Sequence, residues 1–319
     1  MPILKSGSAE LRRDLGDVAF EYMIDAEQAG FIGTVLMPFK NVLQKKSNYP
    51  KIPIEAMFKE AELKRAPRGD YKRDDYEFST GSYDCEEYGF EDLLDDVERE
   101  LYASFFDAEV ISTQRAMDKV LRAQEKRIAN MTFNTTNIPT QQAAAAVWSD
   151  ATNATPRADV IALKKKMRNN RGIIPNVLAL AKSVFDELIE TNELREALKY
   201  TNPIEIGGED AQKRVLAQYF GVDRVLTGNA IRDTAKKGKT SSLTDIWDTT
   251  LVGLFKIATG ENMLEPAIGR TFLWTGDSPE SVVVEQYREE QKRSNVYRAR
   301  QNVDEAFIYT GAGGLVTGV

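Results

Sequence analysis

The chain has 319 residues, a formal charge of −7, a single cysteine and no histidine. That excludes Ser-His-Asp and Cys-His nucleophiles, histidine metal sites and the commonest general base at neutral pH, while the lone Cys85 excludes an internal disulfide framework and any multi-cysteine metal site. Net acidity argues against a dedicated nucleic-acid binder, and with no apolar run of about 18 residues nothing reads as a membrane span; carboxylate or lysine chemistry is what remains open.

The first eight residues, ending at Ser8, carry no apolar segment of a signal peptide, so the reading is a protein made in a reducing cytoplasm. A short amphipathic helix is expected over roughly Ala9 to Ala29, within an N-terminal arm. Phe31–Met37 reads as a strand stopped by Pro38, and Pro50 and Pro53 confine the next extended stretch to a sheet edge or an arm. Residues 55–83 read as a long two-stranded excursion reversing at Ala66-Pro-Arg-Gly-Asp70. It is charged on both strands and poor in aliphatics, so it needs another surface to lie on. Its tip is basic: Lys64, Arg65, Arg68, Lys72 and Arg73.

From Gly89 to Asn130 the spacing predicts one very long helix. Phe90, Leu93, Leu94, Val97, Leu101, Phe105, Ala108, Ile111, Ala116, Val120 and Ile128 recur mostly at three- and four-residue steps with no internal proline. Its first half is acidic (Glu91, Asp92, Asp95, Asp96) and its last turns are basic (Arg115, Lys119, Arg122, Lys126), as the helix dipole favours. Such a rod would be about 60 Å long, longer than a domain of this size is wide, and would need copies of itself to pack against.

Beyond it, Pro156 at the first helical position opens a helix that Gly172 ends. Val177–Ala181 is a short buried strand, followed by helices over 183–190, 192–199 and 210–220 and a strand over 224–227; this alternation reads as a compact α/β lobe. Strands are also expected at Ile246-Trp247, 251–257 and 268–274, then a meander over 281–287, 295–300 and 306–309. The tail Gly311–Val319 is too glycine-rich to pack strongly by itself. Trp148, Trp247 and Trp274 read as core.

Motifs with chemistry are weak. Lys237-Gly-Lys-Thr240 resembles part of a phosphate loop, but Asp233 stands where the motif needs glycine. Gly207-Gly-Glu-Asp210 is explained as a helix start with carboxylates in its first turn. No residue set points to catalysis, a metal or a cofactor, and Cys85 has no histidine to activate it.

The order of parts resembles the major capsid protein of tailed double-stranded DNA bacteriophages, the HK-ninety-seven fold. The local stretches that carry this are Tyr83-Asp-Cys-Glu-Glu-Tyr-Gly-Phe-Glu91, Trp148-Ser-Asp150 followed by Pro156 and Ile174-Pro-Asn176, and Leu216 to Leu226 running on to Gly228-Asn-Ala230. The resemblance implies an α+β fold with an N-terminal arm (1–40), an extended E-loop hairpin (41–88), a P-domain first part with spine helix (89–172, helix 89–130), an A-domain (173–275) and closing P-domain strands (276–319). It also implies a structural, non-enzymatic subunit that self-assembles through a procapsid into hexamers and pentamers of an icosahedral shell. The partners implied are a portal, a scaffolding or decoration protein as a separate chain, and packaged double-stranded DNA held by non-specific contact, with no membrane and no cofactor. The setting is the virion, assembled in the bacterial host cytoplasm. An encapsulin-like protein compartment is the alternative, and a carboxylate-dependent enzyme a third. The expected subunit contact places Lys64, Arg65, Arg68, Lys72 and Arg73 of one copy on Glu91, Asp92, Asp95 and Asp96 of a neighbour.

Overall fold

In a computed structural model of the chain, the described residues are 10–11, 30–51, 54, 58–60, 63–65, 67–71, 73, 79–103, 107–199, 208–236, 238–277 and 280–319. They form a mixed α+β fold around two main sheets. The helix expected over Ala9 to Ala29 lies outside the described residues, apart from a two-residue strand, Glu10–Leu11. Among the described residues no helix is long and apolar enough to cross a membrane.

The inner sheet is built of five short segments, of which the two central ones, Val177–Ala181 and Leu251–Phe255, are wholly apolar. Its order is Thr140–Ala143, Gly313–Thr317, Leu251–Phe255, Val177–Ala181 and Arg224–Gly228, parallel at both outer pairs and antiparallel between. Val177–Ala181 and Leu251–Phe255 are buried at every position, as continuous apolar runs demand when both faces are covered. Helix Pro156–Arg171 starts with proline in its first turn, ends at Gly172 in the left-handed region (φ +66°), and lays Val160, Leu163 and Met167 into the core. The tail, expected to pack weakly by itself, is instead an interior strand. Gly314 allows the approach, since a Cβ there would sit 2.9 Å from both Leu163 Cδ1 and Met167 Sδ.

The outer sheet is built on one strand, Ser294–Phe307, 14 residues long. Strand Glu86–Asp95 pairs along one of its edges; Val283–Glu289 and Gly269–Trp274 follow one another along the other. The short strand Glu10–Leu11 pairs antiparallel with Val283–Glu289, and Phe39–Val42 runs parallel to Gly269–Trp274. Helix Ala108–Thr132 packs across this sheet, with Ala116, Met117, Val120 and Leu121 meeting Leu94, Val284, Tyr297 and Ala299.

Several expectations are corrected here. The rod expected over 89–130 is a ten-residue strand (Glu86–Asp95), a seven-residue helix (Asp96–Tyr102) and a 25-residue helix (Ala108–Thr132). The strand forms because its backbone finds a partner about 200 residues later, a non-local pairing that helical spacing cannot reveal. The remaining helix is about 37 Å long, so its length gives no reason to invoke an assembly. Phe31–Met37 contains a short helix, Gly33–Leu36, instead of a strand. Ile246-Trp247 is not a strand, and the two stretches over 295–300 and 306–309 are one. Strand Gly269–Trp274, grouped above with 173–275, belongs to the outer sheet, whereas Gly313–Thr317, grouped with 276–319, belongs to the inner one.

Glu125 joins the layers. Its carboxylate, 2% exposed, accepts the backbone N–H groups of Ile32 and Gly33 at 2.8 Å each and the Trp247 indole N–H at 2.7 Å. One side chain on the long helix thus satisfies the start of helix Gly33–Leu36 and a core tryptophan of the inner lobe, groups that would be costly to bury unpaired.

Candidate assembly surfaces

The excursion is anchored at its base. Lys46–Lys51 pairs antiparallel with Ser79–Asp84, and Tyr49 and Tyr83 bracket Phe272 of the outer sheet, with ring centroids at 5.3 and 4.5 Å. The Tyr49 hydroxyl donates to the Phe307 carbonyl at 2.9 Å, and burial pushes its pKa up to about 12. Under this base lies Cys85, fully buried, its thiol pushed up to about 11 by burial and then by the nearby carboxylates of Asp304 and Asp84. Such a thiol is inert. Asp304 accepts the Asp84 N–H at 2.9 Å; burial, followed by the charges of Glu305, Asp84 and Glu86, holds its carboxyl above the usual range.

The face of the outer sheet turned away from the long helix carries a ladder of ion pairs. Arg298 reaches Glu91 at 2.7 Å and Glu285 at 3.4 Å; Arg300 reaches Glu285 at 2.7 Å and Asp277 at 2.5 Å. At the sheet's end Arg288 grips both oxygens of Asp96 at 2.6 and 2.7 Å and holds that carboxyl below its ordinary value. On the helix side Arg127 pairs with Glu305 at 2.7 Å and lies 3.7 Å over the Tyr88 ring. Paired arginines of this kind fix strand register.

The chain matches no protein-family model, and no curated protein matches it in sequence. In shape it is similar to a phage-related protein from Bordetella bronchiseptica RB50, with a TM-score of 0.70 and 21% identity over 98% of each chain. It has the fold of a phage capsid protein. The capsid of the cyanophage P-SCSP1u gives a TM-score of 0.59 at 9% identity, over 89% of this chain and 86% of that one. A virus-like particle from Pyrococcus furiosus gives 0.55 at 11% identity, over 93% and 96%. At these identities the likeness establishes the fold alone.

On this capsid-type fold the nine residues singled out from sequence fall into two groups. Lys64, Arg65, Arg68 and Arg73 are exposed on the excursion, with the Arg65 guanidinium 4.6 Å from the Tyr71 ring centroid and Arg68 at the turn with φ +65°. Lys72 lies outside the described residues. Among the described residues, Lys64, Arg65, Arg68 and Arg73 make no ion pair. Glu91, Asp92, Asp95 and Asp96 sit on the outer-sheet strand and the start of the next helix, not on one long helix. Each has a role within the chain: Glu91 with Arg298, Asp92 with Arg115 at 3.2 Å, Asp96 with Arg288, and Asp95 as the cap accepting from Val97 N–H at 2.8 Å.

Sequence reading missed Glu125, although its place in phase with Leu121 and Ile128 among basic neighbours was a visible signal. It also missed Asp159, which accepts from the Trp148 indole and the Ala145 N–H at 3.1 Å each. Trp148 and Trp247 are core as expected, whereas Trp274 is partly exposed and donates to the Leu43 carbonyl. Where the phosphate-loop fragment fails, Asp233 accepts the Ala235 and Ser242 N–H groups, which tie off a small hairpin. A cleft of about 330 Å3 between the long helix and this hairpin holds Asp245 and Asp248, but Ser183 and Thr250 already donate to them. Among the described residues, no group of three or more His, Cys, Asp or Glu side chains is placed to hold a metal ion.

Proposed function

We propose that this chain is the structural subunit of an icosahedral shell that encloses double-stranded DNA, and that it acts without catalysis. The observation that carries the reading is the end-to-end likeness to a phage-related protein and to a cyanophage capsid, over nearly nine-tenths of each chain or more. On this reading residues 1–40 are the arm, 41–88 the E-loop, 89–172 and 276–319 the P-domain and 173–275 the A-domain, with strands 269–274 and 313–317 exchanged between the two sheets. Hexamers and pentamers close around a portal, with a scaffolding or decoration protein, in the host cytoplasm. Electron microscopy of the purified protein tests it: closed shells are expected, and a dispersed monomer under every assembly condition sinks it.

The likeness to a virus-like particle favours a second reading, an encapsulin-like compartment holding protein. Nucleic acid inside purified particles, against protein cargo, separates the two.

Subunit contact is proposed through the excursion. Its tip cations lie on a neighbour's Glu86–Tyr102 segment, where Glu91, Asp95 and Asp96, though engaged within the chain, keep further acceptor sites, whereas Asp92 is buried against the long helix. Reversing Arg65, Arg68 and Lys72 to glutamate is expected to abolish shells while leaving the monomer's unfolding curve unchanged, because the first two are exposed on a stretch with little core. Normal shells from that variant would rule the contact out.

A further inference from the structure

The outer sheet and the long helix make a two-layer plate whose two outward faces differ in charge. Between Ile111 and Asn130 the exposed positions of the helix are Ile111, Arg115, Lys119, Ala123, Lys126 and Asn130. They fall four, four, four, three and four residues apart, a single stripe, and none is acidic. Arg115 to Lys126 spans about 16 Å along the axis. The small hairpin Ile231–Asp233 with Leu243–Asp245 lies beside this stripe: the Arg122 guanidinium donates to the Ile231 carbonyl, and the Lys119 charge helps hold the Asp233 carboxyl below its ordinary value after the Ala235 and Ser242 N–H groups. Its loop adds exposed Lys236 and Lys239. The sheet's opposite face carries Glu87, Glu91, Glu285 and Asp277 against Arg298 and Arg300. In a chain of net charge −7 this segregation is not a reflection of composition.

We infer that the stripe Arg115–Lys119–Lys126, with Lys236 and Lys239 of the adjoining hairpin, is the inward face of the shell and the surface that meets the phosphate backbone of the enclosed nucleic acid. This rests on the container reading and deepens it. A line of cations suits sequence-independent phosphate contact; the exposed apolar side chains of the region, Ile111 at the end of the stripe and Ile231 and Leu243 on the hairpin, flank it and leave its centre from Arg115 to Lys126 without the aromatic or aliphatic anchor that a protein partner would want there. A few lysines per subunit hold a genome loosely, each contact being weakened by salt.

Two measurements test it. The first uses Cys85, buried and unreactive, as a silent background. Lys119→Cys is expected to react with a bulky maleimide-polymer in dispersed subunits and at least tenfold more slowly in closed shells. Asp277→Cys, exposed on the opposite face and outside the Glu86–Tyr102 segment, should react alike in both. Equal labelling of the two sites in shells would overturn the inward assignment. The second measures a short DNA duplex binding to dispersed full-length chain at low salt. Lys119→Glu/Lys126→Glu/Lys239→Glu is expected to lose at least tenfold in affinity, with an unchanged circular dichroism spectrum because all three side chains are exposed. Unchanged duplex binding would overturn the contact, and tighter binding of poly-glutamate than of duplex would transfer the stripe to an acidic protein. If the unaltered chain forms no shells, the container reading itself fails and the inward assignment with it, while the duplex measurement still decides whether the stripe binds phosphate.

Discussion

The two sheets stand in contrast. The inner one is apolar along its central strands, closed over by helices Pro156–Arg171, Lys182–Glu190 and Glu209–Phe220, and needs no charge to specify its register. The outer one has the long helix on one face and, on the other, the base of the excursion and arginine–carboxylate pairs that hold its register, Arg300 and Glu285 being only 13% and 14% exposed. Burial contributes roughly 25 cal/mol per Å2 of apolar surface, whereas a solvated ion pair contributes at most about 1 kcal/mol. Folding energy is therefore concentrated in the inner sheet. The outer sheet, whose Glu86–Asp95 strand has no second partner strand among the described residues, and the excursion anchored on it expose mostly polar surface.

If this division is right, the largest loss should come where the two regions are joined. Glu125→Ala leaves three buried N–H donors without their acceptor and should cost about 4 kcal/mol, read in denaturant unfolding; a loss under about 1 kcal/mol would mean the layers do not depend on that carboxylate. Next, Leu180→Ala opens a cavity in the fully buried inner strand and should cost about 3 kcal/mol. In the outer ladder, Arg300→Ala strips a partner from Glu285, whose side chain is 14% exposed. A loss of about 1–2 kcal/mol is expected, shrinking in molar salt because screening already weakens the pair. If Arg300→Ala proved costlier than Leu180→Ala, the comparison would be reversed.

The smallest effect concerns pH. The Asp304 carboxyl is raised in the folded chain, so it binds its proton more tightly there than in the unfolded chain. Its contribution to stability is present below its unfolded pKa and is lost as pH rises through the folded one. Asp96, depressed by Arg288, acts in the opposite sense: its contribution is present above the unfolded pKa and disappears as pH falls through the folded one. Asp304→Asn should therefore raise Tm slightly at pH 7 and narrow any Tm difference between pH 5 and pH 7. A Tm–pH profile identical to that of the unaltered chain would assign the pH dependence elsewhere.

Residue order alone determined those parts whose causes are local. Val177–Ala181 is a strand because nothing else suits five apolar residues before a helix, and Pro156, Gly172 and Gly221 begin or end helices through their own backbone preferences. The lack of histidine removes whole classes of chemistry whatever the fold. Asp95 and Asp107, read as part of one acidic rod, are instead the caps of two separate helices, a local signal that the rod's apolar spacing outweighed. Tertiary structure alone decided the rest. Glu86–Asp95 is extended because Ser294–Phe307 offers it a full edge, and that partner strand was hidden by Gln301 and Asn302, polar residues that are nonetheless buried in its middle. The glycine-rich tail becomes an interior strand because neighbours on both sides supply what its own side chains lack. Pairing between distant segments is set by which surfaces remain to be covered once the local elements exist, and no window of sequence contains that information.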